Sequence, residues 1–296
     1  MNSEIELRDH VLVGPLRRSV NNASKVAGSI HDDATATKLG FRGGTVAGSI
    51  HLELFPPLLL KAFGQRWFER GTISMYFLNA TTDREAVRAF VKEPPADASD
   101  AQVEIWIERD DGMRVAEGTA SVGSPEEPSA LLRRPLDRFD PGELRILGGL
   151  KVGDQFEECD AFLTKGAMAE RMKVITEPMD WYIKPSPWGD AIATPATMVQ
   201  LLYSQSIATL RGKLGQAVGL FGAIELRNIN GPVRVEHPYR VGGSIVALGQ
   251  SPKTEYMWFE TALDEKDGKR IAEMRMLLRF MKASSPKYRE VTAGRA

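Results

Sequence analysis

The 296-residue chain has a single cysteine, Cys159, and only four histidines. One thiol cannot close an internal disulfide and leaves no cysteine set for a zinc site. An excess of charge is missing too: 38 basic and 39 acidic residues leave a formal net charge of −1. No basic balance therefore argues for a nucleic acid or an anionic membrane surface as partner, and neither is expected, although local charge can still matter at one site. Long apolar runs are absent. The longest, LFPPLLL over Leu54–Leu60, is too short and too proline-broken to span a bilayer. The opening MNSEIELRDHVLV lacks the apolar core of a secretory signal, so a cytoplasmic, reducing compartment is expected. No phosphate-binding GxxxxGK[ST], dinucleotide loop, HExxH or GxSxG elbow occurs. Neither a cofactor nor a metal is therefore expected.

What is present is an ordinary globular composition, 43% apolar and 26% charged, with a core for one large or two medium domains. Three segments recur in order. Gly44–Leu54 aligns with Asp190–Gln200, Gly71–Asn79 with Gly222–Asn230, and Asp111–Glu117 with Asp267–Glu273. Three matches in register argue for a duplicated unit. Each copy reads as a helix followed by strands. His51–Phe63 has helical apolar spacing, with Pro56 and Pro57 predicted to kink or split it. Pro195–Leu210 reads as the cleaner counterpart. Strands are predicted at Thr72–Leu78, Ala86–Lys92, Val103–Arg109 and Arg114–Val122. A second set is predicted at Ala223–Ile229, Ser244–Gly249, Tyr256–Leu263 and Arg270–Met281. Asp-Gly hairpin turns separate the last two strands of each set. The pattern predicts an α+β fold in which antiparallel sheets wrap around helices. The divisions are 1–125, a Pro- and charge-rich linker at 126–145, and 146–296.

The run Gly28–His51, GSIHDDATATKLGFRGGTVAGSIH, gathers two histidines, an aspartate pair and five glycines ahead of the first helix. It resembles the MaoC-like hydratase/dehydratase family in its double hotdog form. Ile30, His31 and Asp33 match the Ile-His-x-Asp of the family signature. Gly40 and Phe41 match its Gly-Phe, and Gly44, Val46 and Ala47 match the approach to the hotdog helix. The departures are Val26 at the family aspartate, Gly28-Ser29 for Asn-Pro, and Ala47-Gly48-Ser49 for Ala-His-Gly. The second copy lacks the histidine. The resemblance implies a non-catalytic second half that shapes the substrate tunnel, and, as in many double hotdogs, a homodimer.

The resemblance implies water addition or removal at an acyl thioester, an acyl-CoA or a related small carbonyl substrate. His31 is the expected general base, since imidazole titrates near neutrality. Asp32 is a candidate stand-in acid, and Asp33 a carboxylate that orients His31 or the loop. The amides of Gly48 and Ser49, at a helix start, are placed to bind an oxyanion. His51 is expected to face the same cleft, and Arg42 to meet an anionic group on the substrate. Glu53 is expected to be solvated and apart from His51, two positions away on the helix. Two other readings stand beside the lyase: a hotdog thioesterase in which Glu53 or Asp32 activates water, and a non-catalytic acyl-binding or partner subunit.

Overall fold

The computed structural model describes residues 5–96, 99–136, 141–210 and 212–288. One twelve-stranded antiparallel sheet forms its frame. The first half supplies β1 (Glu6–Arg8), β2 (Val11–Val13), β3 (Arg17–Arg18), β4 (Gly71–Phe77), β5 (Ala86–Lys92), β6 (Ala101–Arg109) and β7 (Arg114–Val122). The second supplies β8 (Gln155–Phe162), β9 (Gly219–Asn228), β10 (Pro238–Gln250), β11 (Thr254–Asp264) and β12 (Arg270–Met281). Their order is β1-β2-β5-β6-β7-β4-β9-β12-β11-β10-β8, with β3 on β5. The eight predicted strands are all present. The sequence reading left out β1–β3 and the charged edge strand β8.

The halves fuse where β4 pairs with β9. Ser74 lies opposite Glu225, its counterpart in the aligned repeat, so the duplication closes on itself about a pseudo-twofold axis. Both residues are buried. The predicted linker covers this axis: Ser129 donates to Glu225, and the Leu131 N–H donates to Ser74 Oγ at 3.0 Å. Residues 137–140 of that linker lie outside the described residues.

The first hotdog helix is segmented, as its prolines predict. α1 (Asp33–Lys38) precedes it. α2 (Gly48–His51) passes through a 3-10 turn at Leu52–Leu54 into α3 (Pro56–Phe63), followed by α4 (Arg66–Arg70). Proline has no N–H for the interior ladder, so Pro56 and Pro57 sit at the restart. His51, Leu52 and Phe55 keep right-handed helical dihedrals, so the path continues across the break. Leu52, Phe55, Leu58 and Leu59 are buried from this path, worth roughly 1.5–3 kcal/mol each. In the second half, α5 (Lys165–Met172) precedes the unbroken α6 (Pro195–Ala208), which packs on β8, β10 and β11. Among the described residues no helix is long and apolar enough to cross a membrane.

Candidate active site

Two cavities meet at the first helix start. An apolar one of about 400 Å³ is lined by Ile30, Phe41, Phe77, Val115, Leu220 and Leu278, among others. A more polar one of about 580 Å³ is lined by Asn22, Glu170, Arg171, Lys173, Gln200 and Ser204, among others. His31 lines both.

The glycine-rich loop holds His31 at three points. The Asn21 side chain donates to its carbonyl at 2.8 Å, and its own N–H donates to Ser29 Oγ at 3.2 Å. Its ring Nδ1 lies 2.7 Å from the Thr45 carbonyl oxygen. A carbonyl only accepts, so Nδ1 carries the hydrogen of the neutral ring and Nε2 keeps its lone pair. Gly44 permits this close passage, since a Cβ there would stand 2.3 Å from the His31 carbonyl oxygen.

The helix start differs from its counterpart. Ala47 is the N-cap and offers no side-chain cap. Ile50 N–H donates to the Ala47 carbonyl at 2.9 Å. Among the described residues nothing accepts from the Gly48 and Ser49 N–H groups. Gly48 lines the apolar cavity and Ser49 the polar one. In the second half the bridge Ile192–Arg234 repeats the bridge Thr45–Thr82. This places Thr194 against Ala47 and Pro195 against Gly48, one residue away from the sequence alignment. Thr194 Oγ1 accepts from Thr197 N–H at 3.2 Å, and Pro195 has no N–H at all. The second helix start is stoppered where the first is open.

His51 lines the apolar cavity together with His31. Its Nε2 is 2.8 Å from Thr81 Oγ1, and its Nδ1 is buried without a partner. Burial pushes its pKa down to about 4, so the ring is neutral at pH 7. Glu53 corrects the expectation of a solvated carboxylate: it is 1% exposed. It is ion-paired with Arg171 from α5 and accepts from Thr194 Oγ1 at 2.7 Å. Burial lifts its carboxyl to about 7 against the pull of Arg171.

Three expected site residues sit elsewhere. Asp32 caps α1, accepting from Thr35 N–H at 3.0 Å and Thr35 Oγ1 at 2.7 Å, and these bonds hold its carboxyl below the usual range. Asp33 accepts from Gly44 N–H at 2.6 Å and so braces the loop. Arg42 is paired with Glu85 at 2.8 Å and donates to the Ala80 carbonyl. None of the three lines either cavity. Short polar side chains before a helix serve its orphan N–H groups first, and that competing use takes Asp32. Sequence reasoning missed Tyr203, which lines both cavities. Ala196, Val199, Gln200 and Tyr203 all line the polar one. Their spacing on α6 is that of a single helix face, and that spacing could have found it.

The double hotdog fold is shared with solved structures of MaoC-like dehydratases. A protein assigned as a MaoC domain dehydratase from Chloroflexus aurantiacus J-10-fl matches with a TM-score of 0.62 at 12% identity. The match covers 92% of this chain and 94% of that one. A MaoC-like dehydratase matches at 0.56 and 16% identity, covering 93% and 98%. A double hotdog protein from Mycobacterium tuberculosis matches at 0.57 and 11% identity, covering 91% and 96%. No family model and no curated protein sequence matches the chain.

Proposed function

We propose that the protein is a hydratase/dehydratase that adds or removes water at an acyl thioester, with an acyl-CoA as the small-molecule substrate. One observation carries the reading: His31 lines both cavities and is anchored through Nδ1 on the Thr45 carbonyl, which leaves the Nε2 lone pair of the neutral ring unshared among the described residues. A base fixed in one tautomer can take the proton of water as the oxygen attacks the β-carbon. The negative charge then moves to the thioester oxygen. The unpartnered amides of Gly48 and Ser49, at an uncapped helix start, suit that charge. The apolar cavity suits an acyl chain. Glu53 is engaged by Arg171 and Thr194, which weakens the thioesterase reading.

The test is hydration of trans-2-enoyl-CoA substrates, followed by loss of the conjugated absorbance. His31→Gln is expected to lower kcat by about 100- to 10,000-fold, the usual worth of a positioned acid or base. Full activity in that variant would remove His31 from the mechanism. One observation favours a binding-only protein: Val26, at the position of the family aspartate, is 56% exposed. Saturable acyl-CoA binding without turnover in the same assay would establish that reading instead.

A further inference from the structure

Four residues line both cavities: His31, Ala47, Tyr203 and Phe221. They form the boundary that the two cavities share. Only two of them carry an exchangeable side-chain proton, and these come from opposite halves. His31 sits on the glycine-rich loop of the first. Tyr203 sits on α6 of the second. The Tyr203 ring is wedged edge-on against Phe221 at 5.2 Å between centroids and tilted against Phe259 at 6.4 Å. Among the described residues its hydroxyl has no hydrogen-bond partner. A buried phenol usually finds one, so this hydroxyl is free for a ligand. Burial also raises its pKa, which keeps the proton on the oxygen at pH 7.

Adding water across a double bond conjugated to a carbonyl needs a second proton besides the one the base removes. The expected aspartate candidates do not supply it, because neither Asp32 nor Asp33 reaches a cavity. Resting on the hydratase reading above, we infer that Tyr203 is the catalytic acid that delivers a proton to the substrate α-carbon, opposite His31. Water loses a proton to His31 Nε2 as its oxygen bonds the β-carbon. The carbon–carbon π pair moves toward the carbonyl and forms the enolate. The α-carbon then takes the Tyr203 proton while the enolate pair returns to form the new carbon–hydrogen bond. The tyrosinate recovers a proton from the imidazolium through water. One water has been added, and both side chains end as they began.

The experiment uses the full chain with trans-2-hexenoyl-CoA and trans-2-decenoyl-CoA. Tyr203→Phe removes only the oxygen, and is expected to lower kcat by about 100-fold while KM stays within about threefold. Site-specific 3,5-difluorotyrosine at position 203 makes the phenol more acidic. It is expected to move the alkaline limb of the kcat profile down by about one pH unit or more, which a packing role would not do. If Tyr203→Phe fails to fold, the fluorinated protein decides alone: an unmoved profile overturns the assignment. Wild-type turnover in Tyr203→Phe with an inactive His31→Gln overturns the role of Tyr203 and leaves the hydratase reading standing. No turnover by the wild-type chain on either probe overturns both.

Discussion

At the head of its central helix the first half places Ala47, Gly48, His51 and Glu53. In the register of the structure the second half places Thr194, Pro195, Met198 and Gln200 at the same points. The backbone frames are alike and the chemistry is opposite. The second half closes its helix start with a threonine cap and a proline, and puts neutral side chains behind it. The first half leaves two amides open and buries a histidine and a carboxylate. On the proposed reading a duplicated unit needs one open helix start, and the other copy is free to become a wall. Its helix still contributes Tyr203 and Gln200 to the cavity linings.

Copying the second half into the first, residue by residue, breaks the contrast. The largest effect is expected from Glu53→Gln. Arg171 cannot shed its charge, so removing the carboxylate paired with it leaves a buried cation, at a cost of about 3 kcal/mol or more in urea unfolding. Arg171→Gln is expected to cost less, because Glu53, already lifted to about 7, can take a proton. Equal losses would show that the asymmetry between the partners is wrong. Next is His51→Met. His51 titrates at about 4 in the folded chain against an ordinary value of 6.5. The unfolded chain therefore takes up this proton first as pH falls. Its stabilising contribution is complete above pH 6.5 and is lost toward pH 4, by about 3 kcal/mol. The variant should lose that part of the slope between pH 7 and 4.5, and an unchanged slope would clear His51 as its source.

Smaller effects sharpen the contrast. A Cβ on Gly48 would stand 2.7 Å from the Phe77 ring, which lines the apolar cavity and must shift. Gly48→Ala should cost about 1–3 kcal/mol and reduce enoyl-CoA turnover well beyond that of its counterpart. The counterpart, Pro195→Ala, should shift stability by less than about 1 kcal/mol and leave turnover unchanged. Similar kinetics in the two variants would mean that the two helix starts are equivalent after all.

Much of this architecture is legible in the residues. The repeat, the eight long strands and the proline-broken helix follow from periodicity and turn chemistry, which are local. β8 escapes notice because an edge strand with one solvated face carries charge, here Glu157, Glu158 and Asp160. The burial of Glu53 is not legible because its partner lies on α5, far away in sequence and weakly amphipathic. The motif around His31 singles out a residue that lines both cavities. Asp33 braces the loop, as one of its two expected uses has it, whereas Asp32 misleads, since a carboxylate before a helix serves catalysis and capping with the same spacing.

The Ser74–Glu225 pairing bears on how such a chain arose. A single half released from its twin would carry β4 as a bare ladder of donors and acceptors, and the nearest surface with matching shape and register is β4 of a second released half. Two separate copies would thus rejoin along the same seam, head against tail, as a symmetric pair with two identical helix starts. A covalently joined pair does not need that symmetry, so its two starts are free to differ.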